Sequence, residues 1–341
     1  MKKEESGALQ GIAVLLMIFH HCFLYSYMFL DGFLRDPEFT SHFARSTRIA
    51  IAICAFVSGY GIYHVLSKRD GYREEYKDMF RRIARLYTRY WIAVLITILV
   101  DGLIFGSVIS LRELPGNLTG FDPTYNTTWW YIREYMFMLL IAPLIKSVLQ
   151  GDSKRRRAAL IIVISVAVVL GVLSLLPMGG GMIIFLREYV QVILLIIFFE
   201  GYLVAFIQDK LKGRVILAGR KPWIMLVLGI FITILSYSLR YMVSFDGGDS
   251  KPDIIIAPIF ILGAVLVFRT VTPLRKVFAF LGSNLLYMWF IHGLIWKEAF
   301  VFLTSKTNPV IYYTVIVISS LLISMCLNAI EKAILKKKKR A

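Results

Sequence analysis

Apolar runs of about twenty residues recur along this chain, and they constrain its fold more than any motif does. They cover Leu9–Leu30, Arg48–Leu66, Tyr87–Ser107, Tyr131–Leu149, Ala158–Leu176, Glu188–Ile207, Trp223–Val243, Asp253–Phe268, Val277–Trp296 and Val310–Ile330. A helix of about 20 apolar residues matches the hydrocarbon thickness of a bilayer. Lipid offers backbone groups no partners, so a spanning segment must satisfy its own, as a helix does. The expectation is an all-α polytopic membrane protein with about ten transmembrane helices. The run at Asp253–Phe268 is short, which suits a tilted or re-entrant piece. The first run is too long for a cleaved signal and carries His20 and His21, so it reads as a retained helix.

Composition agrees. The chain is 58% hydrophobic and only 18% charged, against about half and about a quarter in soluble domains. Its formal net charge of +17 suggests a polyanion partner. A chain this apolar, however, is not a basic nucleic-acid binder. Ten spans would use roughly 200 residues. The remainder, shared among eleven tails and loops, leaves no room for a separate soluble domain of about 50 residues or more. Residues 1–341 are therefore expected to form a single membrane-embedded domain.

The distribution of charge predicts orientation. With the N-terminus cytoplasmic, 27 of the 39 Lys and Arg fall in inner segments and seven in outer ones. Short cytoplasmic loops carry such an excess, so both termini are expected in the cytoplasm and the protein in the cell membrane as a multi-pass chain. The outer loops carry turn residues at Pro115-Gly116, Pro177 to Gly181 and Asp246 to Asp249. Asn117 and Asn126 match the glycosylation acceptor pattern, which is common by chance. Trp129-Trp130-Tyr131 reads as an interfacial aromatic belt, with Arg133-Glu134 just inside it as an ion pair. The Lys-rich tail through Lys336–Arg340 suits an anionic inner leaflet. Cys22, Cys54 and Cys326 lie in apolar runs without paired spacing, so they read as small buried hydrophobes.

Ionisable groups inside a span are costly and mark function by default. His20 and His21 lie 11 and 12 residues into the first run, which puts them roughly 16–18 Å deep. Neighbours on a helix point about 100° apart, so only one faces any given site. A neutral imidazole is well suited to take a proton from a hydroxyl; the plain alternative is a pair of packed histidines bonded across helices. Arg82, Arg85 and Arg89 share a helical stripe at the cytoplasmic entry to the third run. They suit either phospholipid head groups or the phosphates of a cytoplasmic ligand such as a nucleotide-type acyl donor. Ser58-Gly59-Tyr60-Gly61 allows close helix approach or a local break. His292 lies near the outer end of the ninth run. The five histidines are scattered, and HExxH, CxxC, GxSxG and Walker patterns are absent, so no metal is expected.

Several stretches together resemble the membrane-bound acyltransferase 3 family. Leu9 to His21 resembles its opening helix, in which a basic residue, ten residues and then the essential histidine follow one another; His21 takes the histidine position and Gln10 the basic one. Phe56-Val-Ser-Gly-Tyr60 resembles the family's Phe-x-x-Ser-Gly stretch, and Arg82-Ile-Ala-Arg85 its Arg-x-x-Arg motif. Trp130 to Arg133 with Pro143, and Leu281-Gly-Ser-Asn284 through Trp289-Phe-Ile-His292, resemble its later stretches. The matches run in family order over most of the chain.

The resemblance implies O-acyl transfer, usually of acetyl, from a cytoplasmic coenzyme A thioester to a hydroxyl of an extracytoplasmic or lipid-linked glycan. His21 would be the general base or acyl carrier, and Arg82 and Arg85 the donor-binding pair. Gln10 departs from the family at a donor-binding position: it donates a hydrogen bond but carries no charge. Either Arg82 and Arg85, or Lys2 and Lys3, substitute for it, or activity is altered or lost. Ser58, Arg133, Asn284 and His292 are candidates for substrate or oxyanion contacts. No tightly bound cofactor is expected, acetyl-coenzyme A or another acyl-coenzyme A being a substrate. Membrane lipids are partners, nucleic acid is not, and a separate extracytoplasmic protein or a second copy would fit. A lipid-linked sugar transporter or flippase and a non-catalytic membrane sensor stay open as alternatives.

Overall fold

A computed structural model of the chain describes residues 1–24, 36–103, 110–162, 165, 192–211, 221–244, 250–303 and 308–338. Every regular element among them is helical. The helices are α1 Lys3–Phe23, α2 Pro37–Ser46, α3 Ile49–Leu66, α4 Tyr72–Leu103, α5 Leu114–Thr119, α6 Tyr131–Gln150, α7 Val192–Lys210, α8 Pro222–Met242, α9 Asp253–Thr270, α10 Thr272–Ser283, α11 Leu285–Leu303 and α12 Pro309–Lys338. Two short 3-10 turns, Leu111–Glu113 and Thr127–Trp130, flank α5, and residues 153–162 are also helical.

Among the described residues, seven helices are long and apolar enough to cross a membrane, or eight if the bent pair α10–α11 makes one span. In the count of ten, the other two are α6, whose apolar run contains Arg133, Glu134 and Lys146, and the fifth run, most of which lies outside the described residues.

The structure corrects three readings of the sequence. The ninth run is not one straight helix: it breaks at Asn284, where α10 and α11 meet at 67°. The cause is local. Asn284 Oδ1 accepts Asn328 Nδ2 at 2.9 Å and its carbonyl accepts Ser324 Oγ at 2.9 Å, so α12 provides partners for the break. The third run belongs to a helix that starts at Tyr72, fifteen residues before the apolar stretch. Trp129 is not an interfacial belt residue. It is fully buried, its ring edge-on to Tyr90 at 5.2 Å.

The chain divides into two compact units. The first comprises residues 1–57, 95–107 and 214–341. Here α1 packs closely along α10, α8 along α9, and α11 along α12. Glycines set the first of these crossings: a methyl on Gly11 would collide with the Phe278 carbonyl, and one on Gly282 with the Gly7 carbonyl. Small residues permit such backbone approach, as expected when dispersion rather than hydrophobic exclusion holds helices together in lipid. A buried ion pair, Arg240 Nε to Asp253 Oδ1 at 2.6 Å, ties α8 to α9. The N-terminus of α1 is held by Arg269 to Glu5 and Arg275 to Glu4, each at 3.1 Å.

The second unit comprises residues 58–94 and 108–213. Glu75 at the start of α4 is fully buried between Lys146 of α6, at 2.7 Å, and Arg155, at 2.9 Å. The segment from Ser110 to Trp130 folds back along α4. Tyr87 donates to the Thr119 carbonyl at 2.6 Å, Tyr90 to that of Asn117 at 2.5 Å, and Trp91 to that of Leu118 at 2.9 Å. These contacts lie twelve or more residues before the end of α4 at Leu103, roughly 18 Å along its axis. The connection is thus a packed element rather than a surface loop. Asn117 is its hub: fully buried, its Nδ2 donates to Glu113 and Thr124 and its Oδ1 accepts from Tyr125. That leaves the glycosylation pattern at Asn117 without an accessible amide. Gly59 packs on the Phe198 carbonyl within an unbroken α3, so the small residues there serve packing.

Candidate functional site

The histidines of α1 lie toward the C-terminal end of its described part. The helix begins at Lys3, and His20 and His21 occupy the last turn before its described end at Phe23. His21 lies eighteen residues from Lys3, roughly 27 Å along the axis. Successive side chains diverge by about 100°, and the two rings find different partners. His20 Nδ1 lies 2.7 Å from the Ala44 carbonyl on α2. His21 Nδ1 lies 2.8 Å from His292 Nε2 on α11. The ring centroids of His21 and His292 lie 4.9 Å apart, with their planes 26° from parallel.

The far side of His292 is anchored on its own helix. Its Nδ1 lies 2.6 Å from the Trp289 carbonyl and 3.2 Å from that of Met288. The ring is completely buried, while His21 is partly open. Val14, Ile18, Cys22 and Phe23 of α1 pack with Met288 of α11 and with Tyr312 and Ile316 of α12 in one apolar cluster. The positive charge of Arg48, at the start of α3, bears on both His20 and His21, and that of Arg240 bears on His20. The first unit thus gathers a chain of neutral-capable rings beside guanidiniums.

Gln10 shares a face of α1 with His21, since eleven residues advance the helix by three turns and about 20°. It is half-buried and roughly 16 Å along the axis from His21. Asn284 forms the α10–α11 break and is committed to Ser324 and Asn328.

The remaining candidates belong to the second unit. Arg82 is half-buried and Arg85 exposed on α4. Among the described residues neither is ion-paired, and the Arg85 Nε donates only weakly to the Arg81 carbonyl, at 3.3 Å. Arg133 is different. It is buried, donates to the Phe121 carbonyl at 2.9 Å and pairs with Glu134 at 3.3 Å, so it helps build the folded-back connection. Ser58 lies half-buried on α3.

Among the described residues, no three His, Cys, Asp or Glu side chains converge as a metal site. The arrangement with chemical capacity is the His21–His292 pair. Sequence reasoning named both residues but did not join them, because 271 positions separate them and no local spacing encodes the contact. The electrostatic influence of Arg48 and Arg240 on the histidines has no sequence signal.

Comparison with curated proteins and with solved structures returns no match. A family model described as an acyltransferase domain, however, matches residues 6–329 and so covers the site and nearly the whole chain. This all-helical, membrane-spanning chain therefore belongs to the acyltransferase 3 family and is a membrane acyltransferase.

Proposed function

We propose that the protein transfers an acetyl group from a cytoplasmic coenzyme A thioester to a hydroxyl of an extracytoplasmic or lipid-linked glycan, with His21 as the general base. The observation that carries this reading is the one ring of α1 that is both held by a second imidazole and partly open. His21 is fixed by a 2.8 Å contact to His292 and retains a second ring nitrogen for chemistry. A base must reach its proton before its basicity matters, and a ring locked on one side presents the other in a fixed direction.

In this mechanism His21 takes the acceptor hydroxyl proton while the hydroxyl oxygen bonds to the thioester carbonyl carbon. The carbon–sulfur bond then breaks, and the proton passes from His21 to the thiolate, which leaves as free coenzyme A. The ester stays on the acceptor. Arg82 and Arg85 receive the donor's phosphates. Two guanidiniums without carboxylate partners among the described residues suit an anion, and fork geometry favours phosphate. Gln10 supplies a neutral hydrogen bond where the family's basic residue would stand. The donor is a substrate and not a resident cofactor, and the site of action is the cell membrane.

The test is incorporation of labelled acetyl into cell-surface glycan. His21→Ala should abolish it while the protein still inserts. Labelling at the unsubstituted level would overturn the assignment.

A further inference from the structure

We propose that His292 is a positioning residue that fixes the tautomer of His21 and shares the proton His21 removes. The inference rests on the reading of His21 as the base.

The hydrogen-bond inventory leaves one solution for a neutral pair. His292 Nδ1 faces two carbonyl oxygens, of Trp289 and Met288, and carbonyls only accept. Nδ1 therefore carries the hydrogen, and Nε2 of the neutral ring holds the lone pair. That lone pair faces His21 Nδ1 at 2.8 Å, so His21 Nδ1 must donate. A neutral imidazole has a single N–H, which leaves the lone pair of His21 on Nε2. Two backbone carbonyls on α11 thus decide, through one intervening ring, which nitrogen of His21 is basic.

The same chain handles the proton. When an acceptor hydroxyl gives its proton to His21 Nε2, the ring becomes an imidazolium still hydrogen-bonded to His292 Nε2. The Nδ1 proton can move onto His292 Nε2, and the charge then sits on a ring whose Nδ1–H stays on the Trp289 and Met288 carbonyls. The reverse shift returns it, and His21 Nε2–H protonates the departing thiolate. No atom is gained or lost along the chain. Sharing matters here because an isolated buried charge is costly. In a serine hydrolase triad a carboxylate orients the base; here a neutral imidazole backed by carbonyl dipoles takes that place. His20 lacks this support, because its Nδ1 ends directly on the Ala44 carbonyl with no second ring behind it.

The experiment uses the full chain in inverted membrane vesicles that keep their endogenous acceptor. It follows thiol release from acetyl-coenzyme A across pH for His21→Ala, His292→Ala, His292→Gln and His292→Glu. His292→Ala should lower kcat by about 100-fold or more, with KM for acetyl-coenzyme A within about two-fold. His292→Gln, whose amide oxygen can still accept from His21 Nδ1, should recover about ten-fold of that loss. In His292→Glu the carboxylate holds a proton on His21 more firmly. Because the base must be unprotonated to act, the acid limb of the rate profile should move to higher pH by about one unit. A His292→Ala enzyme with unchanged kcat would overturn the proposal. So would Gln and Glu variants that are equally impaired with an unmoved acid limb, since a ring that only fills space predicts no dependence on acceptor or charge. The Gln–Glu comparison also stands if the Ala variant fails to insert. Continued thiol release by His21→Ala would refute the base assignment itself. Loss in His21→Ala with the overturning pattern at position 292 would refute only the role of His292.

Discussion

Buried polar groups are matched in two ways: by opposite charges, in the second unit and at Arg240–Asp253 of the first, and by neutral partners at the His21–His292 pair of the first. In the second unit, Glu75 is neutralised by Lys146 and Arg155, and Arg133 is matched by Glu134. Each buried charge has an opposite charge beside it, which is what a structural role requires, since an unpaired one would be expensive. In the first unit, His21 and His292 are matched by each other and by backbone carbonyls, with no carboxylate among these contacts. A saturated ion pair has no remaining capacity. A neutral imidazole chain ending in a partly open ring has one lone pair left over, and that is where proton transfer can occur.

The comparison can be broken most severely at His21. His21→Ala should remove all acyl transfer yet leave insertion and helicity unchanged; a helicity loss in circular dichroism would make the pair structural like its counterpart. Glu75→Ala should do the reverse. Removing one member of a buried pair costs roughly 3–5 kcal/mol, so thermal unfolding in detergent should shift strongly downward, with kcat of the surviving folded protein largely kept. Arg82→Ala and Arg85→Ala probe the two guanidiniums without an ion pair among the described residues. Each should raise KM for acetyl-coenzyme A by about ten-fold, with additional salt sensitivity in the parent enzyme. An unchanged KM would assign them to lipid head groups. Smallest should be His20→Ala, which loses one hydrogen bond to Ala44 and about 1 kcal/mol. It sharpens the contrast within α1: kcat should fall by less than about ten-fold.

Much of this fold is legible from hydropathy, because the bilayer imposes a length and a conformation that do not depend on partners. The breaks and depths are less legible. Asn284 sits inside an apolar run, and only Ser324 and Asn328 on α12 explain why the helix can turn there. Trp129 has the sequence context of an interfacial residue, and its burial depends on a connection folding back to Tyr90. The glycines at 11 and 282 name themselves as packing residues but not their mutual partners.

The sequence by itself determined the class of protein, its recurring helices and the residues able to do chemistry, because these follow from side-chain type, hydrophobic length and order along the chain. Tertiary structure alone decided which of two adjacent histidines meets a third. A helix sends residues 20 and 21 about 100° apart whatever surrounds it. Whether Ala44 or His292 waits in a given direction is set by how α2 and α11 pack, and contacts across 24 and 271 residues leave no periodic trace.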